Sequence, residues 1–200
     1  MRKIRLIAVL LLTTLSCSKY GAENLKGFIE YGTESENYVR WTKEQQITWD
    51  LFKGDVDGQG IYYNYFGLYF FYDLQDGLKF NATIYFDKEK SWVKPKEEWG
   101  ESAEYYDQAQ KLLKLKFDYY EATIRQLRKF LIENKDVLTD EERIRELGPE
   151  YYDKAAAEWA EIEDKLDYDF SDDKLGAVQQ IIDSKLKELD EFDTRVNSTF

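Results

Sequence analysis

Histidine is absent from this 200-residue sequence, and cysteine and methionine occur once each. Without an imidazole, neither a Ser-His-Asp nor a Cys-His nucleophilic site can be assembled. The single cysteine, Cys17, cannot close an internal disulfide. Only two prolines, beside a hydrophobic content of 43%, set the chain apart from disordered sequences. Positive charge is also in short supply: 28 Lys and Arg stand against 40 Asp and Glu, a net charge of −12. A face basic enough to displace counterions from nucleic acid, or to hold an anionic membrane surface, is therefore not expected. The longest apolar run, Leu6 to Leu15, falls well short of the ~20 residues a transmembrane helix needs.

That run has a different reading. Arg2, Lys3 and Arg5 precede it and Ser16-Cys17 follow, which is the layout of an export signal, with "TLSC" resembling a lipobox. Residues 1–17 are read as a lipoprotein signal peptide, Cys17 as the lipidated residue, and residues 18–200 as one domain. Removing residues 1–17 takes away three positive charges and no acid, moving the net charge from −12 to −15. A chain of this length can bury about 70% of its unfolded surface. The localisation expected is the bacterial cell envelope, with the membrane reached through the N-terminal lipid.

The N-terminal half carries β patterns. "IYYNYFGLYFFY" (Ile61 to Tyr72) and "LKFNATIYF" (Leu78 to Phe86) are strand-like runs joined by "DLQDG". In the second run Leu78, Phe80, Ala82, Ile84 and Phe86 alternate with Lys79, Asn81 and Thr83, which predicts a half-buried strand in an antiparallel hairpin. "GFIEYG" and "YVRWT" are further strand candidates. In the first run one set of aromatic residues can face the core, leaving Tyr63, Tyr65, Tyr69 and Phe71 on the other side. That side is either covered by another segment or forms an exposed platform for sugar rings or a protein.

From Pro95 onward the spacing turns helical. Tyr106, Leu113, Phe117, Tyr120, Ile124, Leu127 and Leu131 share one face of a long helix. "TDEE" at Thr139 reads as a capping box opening a short helix that "LGP" (Leu147 to Pro149) closes. A further helix follows over Glu150 to Leu166 with Trp159 and Ile162 inward, and the last carries Leu175, Val178, Ile182, Leu186 and Leu189. The fold class predicted is α+β: a mainly antiparallel sheet in the N-terminal half with long helices packed on it.

Two acidic stretches invite a metal reading and resist it. "GDVDGQG" (Gly54 to Gly60) has the rhythm of a calcium loop, but the twelfth position, which needs Glu, is Phe66, so a glycine turn is expected. In "DYDFSDD" (Asp167 to Asp173), Asp172 and Asp173 are explained as acids in the first turn of a helix.

Three landmarks occur in order: "ITWDLFKG" (Ile47 to Gly54), "SWVK" (Ser91 to Lys94) and "KFDYYE" (Lys116 to Glu121). Together they resemble domain of unknown function 922, a bacterial family described as predicted secreted zinc proteases. In that family a helix bears HExxH followed by Phe-Asp and a glutamate. The resemblance implies a zincin-like fold. It places Phe117, Asp118 and Glu121 on the family's Phe-Asp and glutamate. It also places the two zinc histidines on Leu112 and Lys116, the general-base glutamate on Leu113, and a later ligand position near Lys174. None of these four can do the family's chemistry: leucine has no lone pair, and protonated lysine repels a cation.

The resemblance therefore implies a degenerate zinc-protease-like domain with no cofactor and no catalytic residue. Its role would be binding or structural, with an unknown envelope protein or peptide as partner. Two alternatives stay open: a hydrolase using carboxylates or another cation held near Asp118 and Glu121, and a glycan-binding surface lipoprotein.

Overall fold

In a computed structural model the protein is described over residues 36–73, 79–134, 137, 140–167 and 169–193. Cys17, the "GFIEYG" candidate and Thr139 lie outside the described residues. No helix among those described is long and apolar enough to cross a membrane.

Among the described residues, five strands form two small sheets. β1 (Tyr38–Arg40), β3 (Phe66–Asp73) and β4 (Lys79–Asp87) make a three-stranded antiparallel sheet in the order β1-β4-β3. Phe66 pairs with Phe86 and Asp73 with Lys79, the antiparallel arrangement the alternating pattern predicts. Ala82, Ile84 and Phe86 are buried as expected; Thr83, on the other face, is buried as well. The run from Ile61 to Tyr72 is not one strand. β2 (Tyr62–Tyr63) leaves the hairpin to pair with β5 (Trp92–Val93). The break falls where the Tyr65 amide turns to the Ser91 hydroxyl (2.9 Å). Of the tyrosines on the proposed platform, only Tyr63 is exposed; Tyr65 and Tyr69 are half-buried.

The "GDVDGQG" segment is an irregular loop with bends at Gly54 and from Gly58 onward, not a hydrogen-bonded turn. The Gly54 amide donates to the Ser91 carbonyl (2.9 Å), and a Cβ on Gly54 would overlap the Glu89 carbonyl.

Among the described residues, three α-helices pack with the sheets: α1 (Tyr106–Glu133), α2 (Glu141–Leu166) and α3 (Asp172–Glu188). α1 packs against β4 on one side and against α2 and α3 on the other. Its predicted stripe is buried from Leu113 to Leu131, with Phe117 stacked on Phe66 (5.1 Å between centroids). Because it lies between the sheet and two helices, α1 is buried on further faces too, at Leu112, Leu115, Tyr119 and Ala122.

α2 differs from the reading of two helices broken at Pro149. It runs unbroken through Gly148-Pro149. An internal proline costs about 3 kcal/mol in a free helix. Here that is outweighed by contacts on both sides of it: Ile144 and Leu147 before, Ala155 and Trp159 after, all buried. Gly148 allows the approach, since a Cβ there would sit 2.9 Å from the Phe70 ring. The Tyr152 hydroxyl then bonds the Phe66 carbonyl. Asp140 is the N-cap, its carboxylate accepting from the amides of Glu142 and Arg143 (both 3.1 Å). Asp172 and Asp173 occupy the first turn of α3, as predicted.

Candidate binding cleft

The positions that the family resemblance singles out are dispersed. Leu112 and Leu113 are core residues. Lys116 is largely buried on α1, where desolvation pushes its amine below the usual lysine range against the pull of Glu163 on α2. Lys174, in the first turn of α3, is paired with Asp169 (3.2 Å). It lines a hollow between α2 and α3 over Tyr119, a hollow to which Leu112, Leu113 and Lys116 do not contribute. Among the described residues no three metal-ligating side chains converge.

Asp118 and Glu121, the acids of the resemblance, hold cations already supplied by the chain. Glu121, 2% exposed, accepts from Arg125 Nε (3.1 Å) and from Arg128 (2.8 and 3.3 Å). Arg128 carries the connection onward. It donates to the Ala82 carbonyl on β4 (2.9 and 2.6 Å) and to the Phe192 carbonyl beyond α3 (3.0 Å). One guanidinium thus ties the sheet, α1 and the chain after α3 together. Such desolvated charges are held only because each has a partner and its remaining donors find carbonyls.

One turn earlier, Asp118 accepts from the indole Nε1 of Trp41 (2.7 Å) and from Lys114. Trp41 follows β1, so this bond fixes the edge of the sheet to α1. Burial raises the pKa of Asp118; Lys114 and the Trp41 bond pull the other way, and Asp183 on α3 adds to the rise. The Trp41 ring also lies near Arg125 (5.1 Å) and Lys114 (5.7 Å), a cation–π arrangement with both.

These groups lie along a cleft of about 840 Å³ between the segment after β1, α1 and α3. Trp41, Leu115, Asp118 and Arg125 form its inner part, and α3 contributes Leu175, Gly176, Gln179 and Asp183 at helical spacing. Its size falls within the roughly 300–1,000 Å³ of small-molecule sites. Arg125 closes one end through Asp193 (2.7 Å), and Lys111 bridges to Asp172 (2.7 Å).

A second hollow, lined by Tyr65, Tyr85 and Tyr152 with Arg145 and Asp153, lies where β3 meets α2. Burial, the largest cause, raises Tyr85 and Tyr152 to about 12 each, so both phenols stay protonated.

No protein-family model, curated protein or solved structure matches this chain.

Sequence reasoning missed Trp41, Lys114, Arg125 and Arg128. A signal for the helical members was present: Lys114-Asp118 and Glu121-Arg125 are opposite charges four apart, inside a helix with apolar residues on nearly every face. Charges on a helix apolar nearly all round are buried, and so must be paired.

Proposed function

We propose that this chain is an envelope-anchored bacterial lipoprotein, held by lipid at Cys17, whose domain is a degenerate relative of the zinc-protease family and binds rather than cleaves. The observation that carries the reading is the division of labour along α1. Leu112 and Leu113, at the positions of a ligand and the general base, are packed into the core. Asp118 holds Trp41 and Lys114, and Glu121 holds Arg125 and Arg128. Beside them stands a cleft of about 840 Å³ that the described side chains leave unfilled. Buried charges held by several partners make a rigid wall, which suits binding a ligand without rearrangement. A carboxylate hydrolase is the second reading, favoured by Asp118, whose raised pKa and neighbour Asp183 suit a general acid.

The test uses the full-length protein in detergent and a small-molecule library read by thermal shift. Gly176 offers a clean control, because it lines the cleft and a Cβ there meets nothing within 4 Å. Gly176→Phe should keep the fold and abolish binding of the hits. Hits that bind the variant equally well would place binding elsewhere, and chelator-sensitive cleavage of a peptide library would overturn the non-catalytic reading.

A further inference from the structure

We propose that the cleft beside Trp41 takes a small zwitterion: a peptide of a few residues with a free ammonium and a free carboxylate. This rests on the reading of the domain as a binding module.

The charges that face the cleft balance in sign but do not satisfy one another. Lys43, Lys111, Lys114, Arg125 and Lys187 line it together with Asp118, Asp172, Asp183, Asp190 and Asp193. Three sets are internal: Lys111 with Asp172, Lys114 with Asp118, and Arg125 with Asp193 and, at 3.8 Å, Asp190. Left over are two cations, Lys43 and Lys187, for which no ion pair forms among the described residues. Left over as well is one anion, Asp183, which among the described residues is held by the Gln179 amide alone (2.9 Å). Lys43 and Lys187 are both exposed, so each is free to meet an anionic group that enters the cleft.

A ligand carrying one sign would satisfy only part of this lining. A cation would leave the lysines unmatched, and an anion would meet Asp183 and Asp118. A ligand with both signs answers each. Both bonds to Asp118 fall on Oδ1, which leaves Oδ2 as a second acceptor near Asp183 for an ammonium group. Lys43 and Lys187 are the donors for a carboxylate. Charge-assisted bonds of this kind are about twice as strong as neutral ones, and more so in a partly enclosed site. Size separates a peptide from a free amino acid: the cleft lies in the upper part of the range for small-molecule sites, so a single amino acid would leave much of it to water.

Isothermal titration of the full-length protein in detergent with a randomised pool of tripeptides having free ends tests this. A matching pool acetylated at the N-terminus and another amidated at the C-terminus are the comparisons. Binding of the free pool is expected, weakened about tenfold or more by either cap, the factor that ~1.4 kcal/mol represents. Asp183→Asn, an exposed position whose change leaves the fold intact, should weaken the free pool about tenfold. The same substitution should leave the acetylated pool unaffected. Lys43→Ala with Lys187→Ala should mirror this for the amidated pool. Equal binding of capped and free pools, or no effect of Asp183→Asn, overturns the proposal. If no pool binds while library hits are still lost in Gly176→Phe, the zwitterion is wrong and the binding module stands. If neither pools nor library hits depend on Gly176, both readings fall.

Discussion

Substituting Glu121→Gln keeps the shape of the side chain and removes the one carboxylate that both buried guanidiniums share. In the native protein Glu121, Arg125 and Arg128 are exposed by 2, 2 and 4%. Arg125 would retain Asp193 (2.7 Å) at the surface. Arg128 would retain the carbonyls of Ala82 and Phe192, which accept hydrogen bonds but do not neutralise charge. Breaking a buried pair by removing one partner costs about 3–5 kcal/mol. The glutamine oxygen still accepts one bond, so the expected loss is near the lower end, ~3 kcal/mol. For a domain of this size that lowers the melting midpoint by roughly 10 °C. Urea unfolding is the assay, with the midpoint falling and the slope unchanged, since the surface exposed on unfolding is the same. The companion variant joins Glu121→Leu to Arg128→Met, which removes both of these charges and leaves Arg125 paired with Asp193 (2.7 Å). It should lose far less than the single change, within about 1–2 kcal/mol of the parent. A single variant that loses under ~1 kcal/mol, or a double variant that loses more than the single one, refutes the idea that stranded charge governs this region.

Three other outcomes are expected. Lys116→Met should stabilise the fold at neutral pH. Because burial lowers the folded-state pKa of Lys116 below 10.5, the unfolded chain binds more protons between the two values and stability rises with pH across that window; urea midpoints from neutral pH to about 10 should show the rise in the parent and its reduction in the variant. Gly67→Ala should cost about 1–3 kcal/mol, because a Cβ there would overlap the Tyr85 ring on the paired strand, and a thermal melt equal to the parent would contradict it. Mass spectrometry of the protein purified from membranes should find an acylated Cys17 at the N-terminus, and an unmodified start elsewhere would remove the anchor from the proposal.

The α+β class was legible because it depends on periodicity, which a single sequence carries. The alternation from Ala82 to Phe86 and the stripe from Leu113 to Leu131 are both buried where the pattern put them. Two features were not legible, for the same reason. Pro149 reads as a stop because local propensity forbids it, and only contacts far along the chain, with Phe66 and Phe70, allow α2 to continue. The split at Asn64-Tyr65 likewise depends on Ser91, 26 residues away from Tyr65.

The cleft is harder still to read, and Asp118 shows why. In sequence it is one acid among 40, flanked by apolar residues and open to a metal-ligand reading. In the fold its chemistry is set by Trp41, 77 positions earlier, and by Asp183, 65 positions later. Lys114, one turn away on the same helix, is the only one of the three whose spacing reveals the contact. A charge inside an apolar helix announces that it must have a partner; the identity of that partner is a property of the tertiary fold. The same reasoning separates Asp118 from Glu121. Both are buried, yet the bonds to Glu121 use both its oxygens for two arginines, while among the described residues the bonds to Asp118, beside the cleft, fall on Oδ1 alone. Glu121 therefore belongs to the stability of the domain, and Asp118 is the acid that the proposed ligand would meet.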